Sequence, residues 1–288
     1  MTGFQQIGIV GAGRVAQALA LGLSPHSLAP PLLWARAPDK AEAAAARLGC
    51  AVTEHRIDRL MQSCDAVAIA VSDDAVETIA AELAAAGPAD RRPFVFHVSG
   101  RSGAAILEPL HAAGALTAAI HPAMTFTGDP QGEAARMKQA RFAVTGSSPQ
   151  AIELAHRLVG LLGGIAVDIA EERRPLYHAA LCHASNHLVT LMDGASHALR
   201  NAGVDDPATF LAPLVRAALE NSLDRGFDAL SGPLRRGDSR TIESHLGALG
   251  AGCPDLLPAY RAMALATLDE LTRGDAARVS PELRSLLC

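Results

Sequence analysis

The chain has 288 residues, 49% hydrophobic and 19% charged, with a formal net charge of -5 at pH 7. A mildly acidic chain with no block of Lys and Arg carries no electrostatic footprint for nucleic acid, and it contains no charge-free run of about 18 apolar residues, the length a membrane span needs. The five cysteines, Cys50, Cys64, Cys182, Cys253 and Cys288, are scattered with no C-x-x-C, which argues against both a disulfide framework and a zinc site.

The opening residues MTGFQQIGIV lack the basic, apolar and small-residue segments of a secretory signal, so a cytoplasmic protein is expected. Residues 7–10 (IGIV) read as a buried strand and 14–23 as a helix. A second strand follows at 32–35 and a second helix at 39–48. Apolar runs at 66–71, 94–98, 116–120 and 141–146 continue the series, with helices at 75–86, 103–113 and 149–162 between them. Continuous apolar runs of this length are what parallel strands covered on both faces look like. Their alternation with helices predicts an α/β fold, a doubly wound, mostly parallel Rossmann sheet.

The strand pattern stops at Asp168. Helical patterns then run at 171–203, 207–225, 238–249 and 254–273. Two domains are therefore expected: 1–168, binding a dinucleotide, and 169–288, all-helical. Only the change of period marks the boundary.

The stretch GIVGAGRVAQALA places Gly11-x-Gly13-x-x-Ala16 directly after the first strand and at the start of the first helix. That context makes it a dinucleotide motif. Gly11 allows the tight turn, Gly13 lets the backbone approach a pyrophosphate, and Ala16 keeps helix and strand close. Gly11, Ala12, Gly13, Arg14 and Val15 are the candidate phosphate-end residues, where a helix N-terminus presents free amides. NAD-preferring folds end the second strand with an acid that binds the ribose 2′-OH. Here the strand ends LLWARAPDK, with Ala35 and Arg36 in place of that acid. Arg36 suits a 2′-phosphate through its planar fork, which favours NADP over NAD. Val71 and Ser72, in AVSDDAV, stand where the nicotinamide half would lie, and Asp73 and Asp74 read as helix caps.

Ligands of open α/β sheets bind outside the carboxyl ends of the strands. FVFHVSGRSG brings His97, Ser99 and Gly100 there, and AIHPAMTFTG brings His121 and Pro122. Histidine is the side chain suited to proton transfer near neutral pH. His97, at an alternating position, reads as structural. The segment 177–191, YHAALCHASNHLVTL, is apolar enough for a buried helix yet carries three histidines. At about 100° per residue, His178, Cys182, Ser185 and Asn186 share one face, a polar lining for a cleft. His183 and His187 form an i, i+4 pair on another face, without a third ligand placed by spacing to complete a metal site. Farther on, LSGPLRRGDSRTIESHLGAL offers Asp238 as a helix N-cap, and Arg236 as either a carboxylate clamp or a solvated cation.

The combination resembles the 6-phosphogluconate dehydrogenase-like superfamily, which includes ketopantoate reductases, pyrroline-5-carboxylate reductases and prephenate dehydrogenases. HPAMTFTG, YHAALCHASNHLVTL and LSGPLRRGD…T…HL more closely resemble predicted oxidoreductases whose helical domain is of unknown function. The resemblance implies an NADP(H)-dependent enzyme that transfers hydride to a small keto acid, ketopantoate-like, or to an imine in the interdomain cleft. It implies a homodimer through the helical domain, for which the Ala- and Leu-rich helices independently ask. Ketopantoate reductases present a lysine and, eight residues on, an asparagine. His178 and Asn186 occupy that spacing, and the absence of lysine from this helix excludes a lysine acid. The His-Pro turn of prephenate dehydrogenases matches His121-Pro122. The proton is then expected from His178 or His121, with Asn186 and Ser99 orienting the substrate oxygen and Arg236 holding a carboxylate. The alternative is a non-catalytic NADP(H)-binding sensor or assembly protein.

Overall fold

The computed structural model describes residues 3–86, 92–274 and 281–288. The chain divides into two compact units, 1–183 and 184–288.

The first unit is built on one sheet. In chain order it runs β1 (Ile7–Val10), α1 (Arg14–Leu23), β2 (Leu32–Trp34), α2 (Pro38–Leu48), β3 (Val52–Thr53), α3 (Ile57–Ser63), β4 (Ala66–Ile69), α4 (Val76–Ala85) and β5 (Phe94–His97). It continues through α5 (Glu108–Ala112), β6 (Leu116–Pro122), α6 (Pro130–Met137), β7 (Arg141–Gly146), α7 (Pro149–Leu161) and β8 (Ile165–Asp168). The strand order is β3-β2-β1-β4-β5-β6-β7-β8. Every neighbouring pair is parallel except β6–β7, where Ala119 faces Thr145 and His121 faces Ala143 antiparallel.

Period-two alternation sends successive side chains to opposite faces, and both faces are filled. Ile7, Ile9, Ala66, Ala68, Phe94, Phe96 and Ile120 pack with α1 and α7 through Leu19, Leu23, Ala155 and Leu158. Val10, Val67, Ile69 and Val95 pack on the other side with Leu60, Ile79, Leu83 and Leu107. This double burial explains why the strands read as unbroken apolar runs. The two strands that sequence reasoning missed, β3 and β8, are the two ends of the sheet. Neither has a fully buried residue, so neither carries the apolar run that identifies the others. The short helices α3 and α6 also escaped, while β6 extends beyond the expected 116–120 to include His121 and Pro122.

A long helix, α8 (Arg174–Asn201), starts in the first unit and ends in the second. The second unit continues with α9 (Pro207–Arg225), α10 (Pro233–Arg236), α11 (Ser239–Gly252), α12 (Leu257–Gly274) and α13 (Pro281–Leu287). Its buried cluster is Ile242, Ala264, Leu268, Leu271, Leu283 and Leu287, drawn from α11, α12 and α13. Asp206 and Asp238 cap α9 and α11 through the amides of Thr209 and Thr241, as the sequence predicts for Asp238. The segment 177–191, expected to be a buried helix, is helical but has no fully buried residue; in α8 only Arg174 is buried. Among the described residues, no helix is long and apolar enough to cross a membrane.

Candidate functional site

At the carboxyl ends of β1, β2 and β4 the first unit opens a cleft of about 780 Å³, lined by Gly11–Val15, Trp34, Arg36, Lys40, Val71, Ser72, Val98 and Phe126 among others. The turn from β1 into α1 makes its floor. Gly11 has φ +128°, and a Cβ there would come within 2.3 Å of the Ala70 carbonyl oxygen, so no other residue fits. A Cβ on Gly13 would meet nothing within 4 Å, which leaves the backbone open toward the cleft. Gly13 is also the N-cap of α1, where no side chain satisfies the first amides. Where α6, α7, α9 and α11 are capped by Asp or Ser, α1 and α2 begin uncapped. Free amides, positive end potential and an absent Cβ together can hold a pyrophosphate. Arg36 stands just before α2 and Lys40 in its first turn, and among the described residues neither pairs with a carboxylate. They suit a further phosphate. Lys40 was missed in the sequence because it lies one turn into the helix rather than at the strand end.

One lip of the cleft is fixed from below. The buried Glu133 carboxylate accepts from the amides of Thr127 and Gly128 at 2.5 and 2.7 Å. The same loop's carbonyls accept from two arginines: Arg14, opening α1, donates to the Phe126 oxygen at 3.1 Å, and Arg47, in the last turn of α2, to the Gly128 oxygen at 2.8 Å.

The groups at the ends of β5 and β6 form a second cluster. His97 is fully buried; the Ser99 amide donates to its Nδ1 at 3.1 Å, so Nε2 carries the proton and donates to the Gly103 carbonyl at 2.8 Å. With both ring nitrogens used, His97 shapes the 99–103 turn. Gly100 lies against two more imidazoles: a Cβ on it would reach 2.6 Å from His178 Cδ2 and 3.0 Å from His121 Nε2. The His121 and His178 rings meet edge to face with centroids 5.9 Å apart. His121 Nδ1 is 2.8 Å from the Tyr177 hydroxyl, and His178 Nε2 is 3.7 Å from Cys182 Sγ. The Ser99 hydroxyl is buried without a partner.

Behind this cluster lies Arg174, fully buried. Its Nε donates to Thr145 Oγ1 at 2.8 Å, and Nη2 donates to the Ala119 and Ala143 carbonyls at 2.9 and 3.1 Å. Burial pulls its guanidinium down to about 10, still charged at neutral pH. Burial also lowers His97 to about 4. Burial first, then the charges of His178 and Arg174, lowers His121 to about 4 as well.

The structure therefore brings Gly11–Val15, Arg36, Val71 and Ser72 into one cleft, and Ser99, His121 and His178 into one cluster. Asn186 and Arg236 belong to the second unit, both exposed. Asp73 and Asp74 are not the caps expected of them: both pair with Arg101, at 3.7 and 2.7 Å, and Ser72 is the N-cap of the short turn they begin. Tyr177 and Arg174 were missed. Their partners lie far away in sequence, and Arg174 resembles any solvated arginine at a helix start. Among the described residues, no group of three or more His, Cys, Asp or Glu side chains could hold a metal ion, and all five cysteines are free.

Residues 3–122 match the model of a Rossmann-like domain, and residues 140–267 match that of a domain of unknown function, DUF2520. The chain is a Rossmann-like domain joined to a DUF2520 domain. The DUF2520 match takes in β7, β8, Arg174, Tyr177 and His178, so the cluster at the strand ends draws on both domains. No curated protein matches the sequence. Among solved structures, the fold is similar to that of a candidate NADP oxidoreductase from Bacteroides fragilis, with a TM-score of 0.75 at 19% identity over 91% of this chain and 97% of that one. It is similar to a reductive aminase from Aspergillus terreus in complex with NADPH and ethyl-5-oxohexanoate, with a TM-score of 0.67 at 19% identity over 98% of each chain. An imine reductase from Myxococcus stipitatus in complex with NADP+ has a TM-score of 0.62 at 17% identity over 97% of this chain and 98% of that one.

The neutral histidines of this Rossmann–DUF2520 chain have a pH consequence. His97 and His121 lie near 4 when folded, below their ordinary 6.5. Between those values the unfolded chain binds protons that the folded chain refuses, so their contribution to stability is full above pH 6.5 and lost as pH falls toward 4. The melting temperature is expected to fall across that window, and His97→Gln to flatten the slope; an equal slope in the variant would show that His97 is not buried neutral.

Proposed function

We propose that the chain is an NADP(H)-dependent oxidoreductase that reduces a small keto acid or imine. The observation that carries this reading is the cleft itself, with its obligate Gly11, uncapped α1 and two uncompensated cations, Arg36 and Lys40. Val98, in the lining, is followed directly by Ser99 and Gly100, which lead to the two imidazoles. The structures with similar folds that are described as holding NADPH or NADP+ lend support.

A bound nicotinamide nucleotide would supply the hydride. The chain's own residues do the rest. The α1 amides and Gly13 hold the pyrophosphate, Arg36 and Lys40 hold the 2′-phosphate, and Val71 and Ser72 border the nicotinamide end. His121 or His178 delivers the proton. Ser99, whose hydroxyl is buried and unpartnered among the described residues, orients the substrate oxygen. A neutral His121 near a buried guanidinium, with no carboxylate among its hydrogen-bond partners, favours an oxygen or nitrogen that gains negative charge.

The test is NADPH oxidation against a panel of 2-keto acids including ketopantoate, aldehydes and cyclic imines. Turnover of a keto acid or an imine is expected. NADPH binding without turnover of any member would favour a nucleotide sensor instead.

Arg36→Ala and Lys40→Ala are each expected to weaken NADPH binding by about 1–3 kcal/mol, the scale of a charged hydrogen bond, while NADH binding changes little. Equal losses for both cofactors, measured by fluorescence titration, would mean that neither side chain reads the 2′-phosphate.

A homodimer is part of the proposal. Phe210, Leu214 and Leu223 on α9 are 61%, 65% and 79% exposed, and Leu219 on the same helix is exposed too. They point to more than one side of α9, and a helix apolar on several sides needs cover. A second copy is the expected cover. Light scattering at micromolar concentration should give the mass of two chains, and Leu214→Glu with Leu223→Glu the mass of one; a single-chain mass for the wild type overturns it.

A further inference from the structure

Arg174, Tyr177 and His178 lie within one turn of α8, so they share a side of the helix. That side meets His121. The Tyr177 hydroxyl is 2.8 Å from His121 Nδ1, with the rings edge to face at 84° and centroids 5.7 Å apart. Arg174 Cζ stands 6.0 Å from the centre of the Tyr177 ring. The guanidinium makes no ion pair among the described residues, and its Nη1 is buried without a partner. At the opposite end of the His121 ring, Nε2 borders Gly100: a Cβ there would stand 3.0 Å from Nε2 and 2.6 Å from His178 Cδ2.

We propose that His121, Tyr177 and Arg174 form a proton relay: His121 Nε2 protonates the substrate, Tyr177 reloads Nδ1, and the buried Arg174 charge holds the resulting phenolate. The proposal rests on the reductase reading above and adds the proton path. The carbonyl or imine carbon receives the hydride with its two electrons, and the π pair moves onto the oxygen or nitrogen. That atom takes the proton from Nε2. Nδ1 then takes the proton of the Tyr177 hydroxyl, which becomes a phenolate; once product leaves, Nδ1 returns that proton to the phenolate as Nε2 takes one from water, leaving hydroxide, so the ring regains its Nε2 proton.

A relay is needed because His121 is neutral. An imidazole held near 4 stores no second proton at neutral pH, so it can give one up at one nitrogen only if the other is supplied. Five groups face His121: Tyr177, His178 and Arg174 from α8, His97 from β5, and Asp73 from the turn after β4. Of these only Asp73 favours its charged form electrostatically, and it is engaged with Arg101. Burial opposes ionisation of Tyr177, and the neighbouring Arg174 charge counters it. His178 is turned toward Cys182 and makes no hydrogen bond to the tyrosine.

Two measurements test the relay. Tyr177→Phe keeps the ring and removes the hydroxyl. It is expected to lower kcat about 10²-fold, the scale of a general-acid contribution, with NADPH affinity and melting temperature unchanged and the pH profile altered. Nitrogen NMR of the ligand-free wild type at neutral pH should find His121 protonated at Nε2, with Nδ1 as acceptor. An Nδ1-protonated ring or an imidazolium overturns the proposal, as does an unchanged kcat and pH profile in Tyr177→Phe. A wild type that binds NADPH but reduces nothing in the panel overturns the reductase reading and the relay's purpose with it. An active wild type beside an equally active Tyr177→Phe overturns the relay alone.

Discussion

The burial of one guanidinium organises the chemistry of this chain. Arg174 places its Nε and Nη2 on Thr145 and on the carbonyls of Ala119 and Ala143, across the single antiparallel seam of the sheet. Thr145 passes the contact on by donating to the Ile169 carbonyl at 2.5 Å. Hydrogen bonds to a charged group are worth about 1.5–3 kcal/mol each, and desolvation of the charge opposes them. The net need not be large for the geometry to be fixed. Arg174 opens α8, so anchoring it sets where the next turn of that helix lies, and that turn carries Tyr177 and His178. The antiparallel strand β7 is what makes the seam, since it returns Ala143 O and Thr145 beside β6 at the level of Ala119 and His121.

That anchoring explains why some of the site was legible in the sequence and some was not. The glycine turn was legible because its demands are local: Gly11, Gly13 and Ala16 answer to a strand and a helix that flank them directly. The sheet was legible wherever a strand is buried on both faces, and illegible at β3 and β8, which close its two ends with few buried side chains. His121 and His178 could be picked out by their place at a strand end and on a helix. Their partners could not. Tyr177 is 56 residues from His121, and Arg174 is 55 from Ala119, so no periodicity links them. A charged residue in the first turn of a helix ordinarily reads as solvated, and only the fold shows that this one is buried.

The same physics separates the three histidines by role. His97 uses both nitrogens on backbone groups, so it has no proton to lend. His178 keeps a half-exposed ring beside a thiol. His121 has one nitrogen on a hydroxyl that can donate as well as accept, and the other toward a glycine. Three residues of one type thus divide into a strut, a neighbour and a conductor, according to what each ring nitrogen meets.

Electrostatics then couples the cluster to the kind of substrate it can serve. A buried guanidinium with no carboxylate in ion-pair contact among the described residues, and Glu171 acting on it only from a distance, leaves a positive potential in the sheet's interior; after burial, it lowers the affinity of both His97 and His121 for protons. In a low-dielectric site that potential is felt most strongly by whichever nearby atom gains negative charge. A carbonyl oxygen or imine nitrogen accepting a bonding pair is such an atom, and so is a tyrosine oxygen giving up its proton. A carboxylate placed beside Arg174 would pair with it and cancel that potential, while burial, the larger cause, would still hold both imidazoles low. The absence of an ion pair at Arg174 among the described residues is therefore part of what keeps His121 neutral, and a neutral His121 can accept a proton at one nitrogen while it donates from the other.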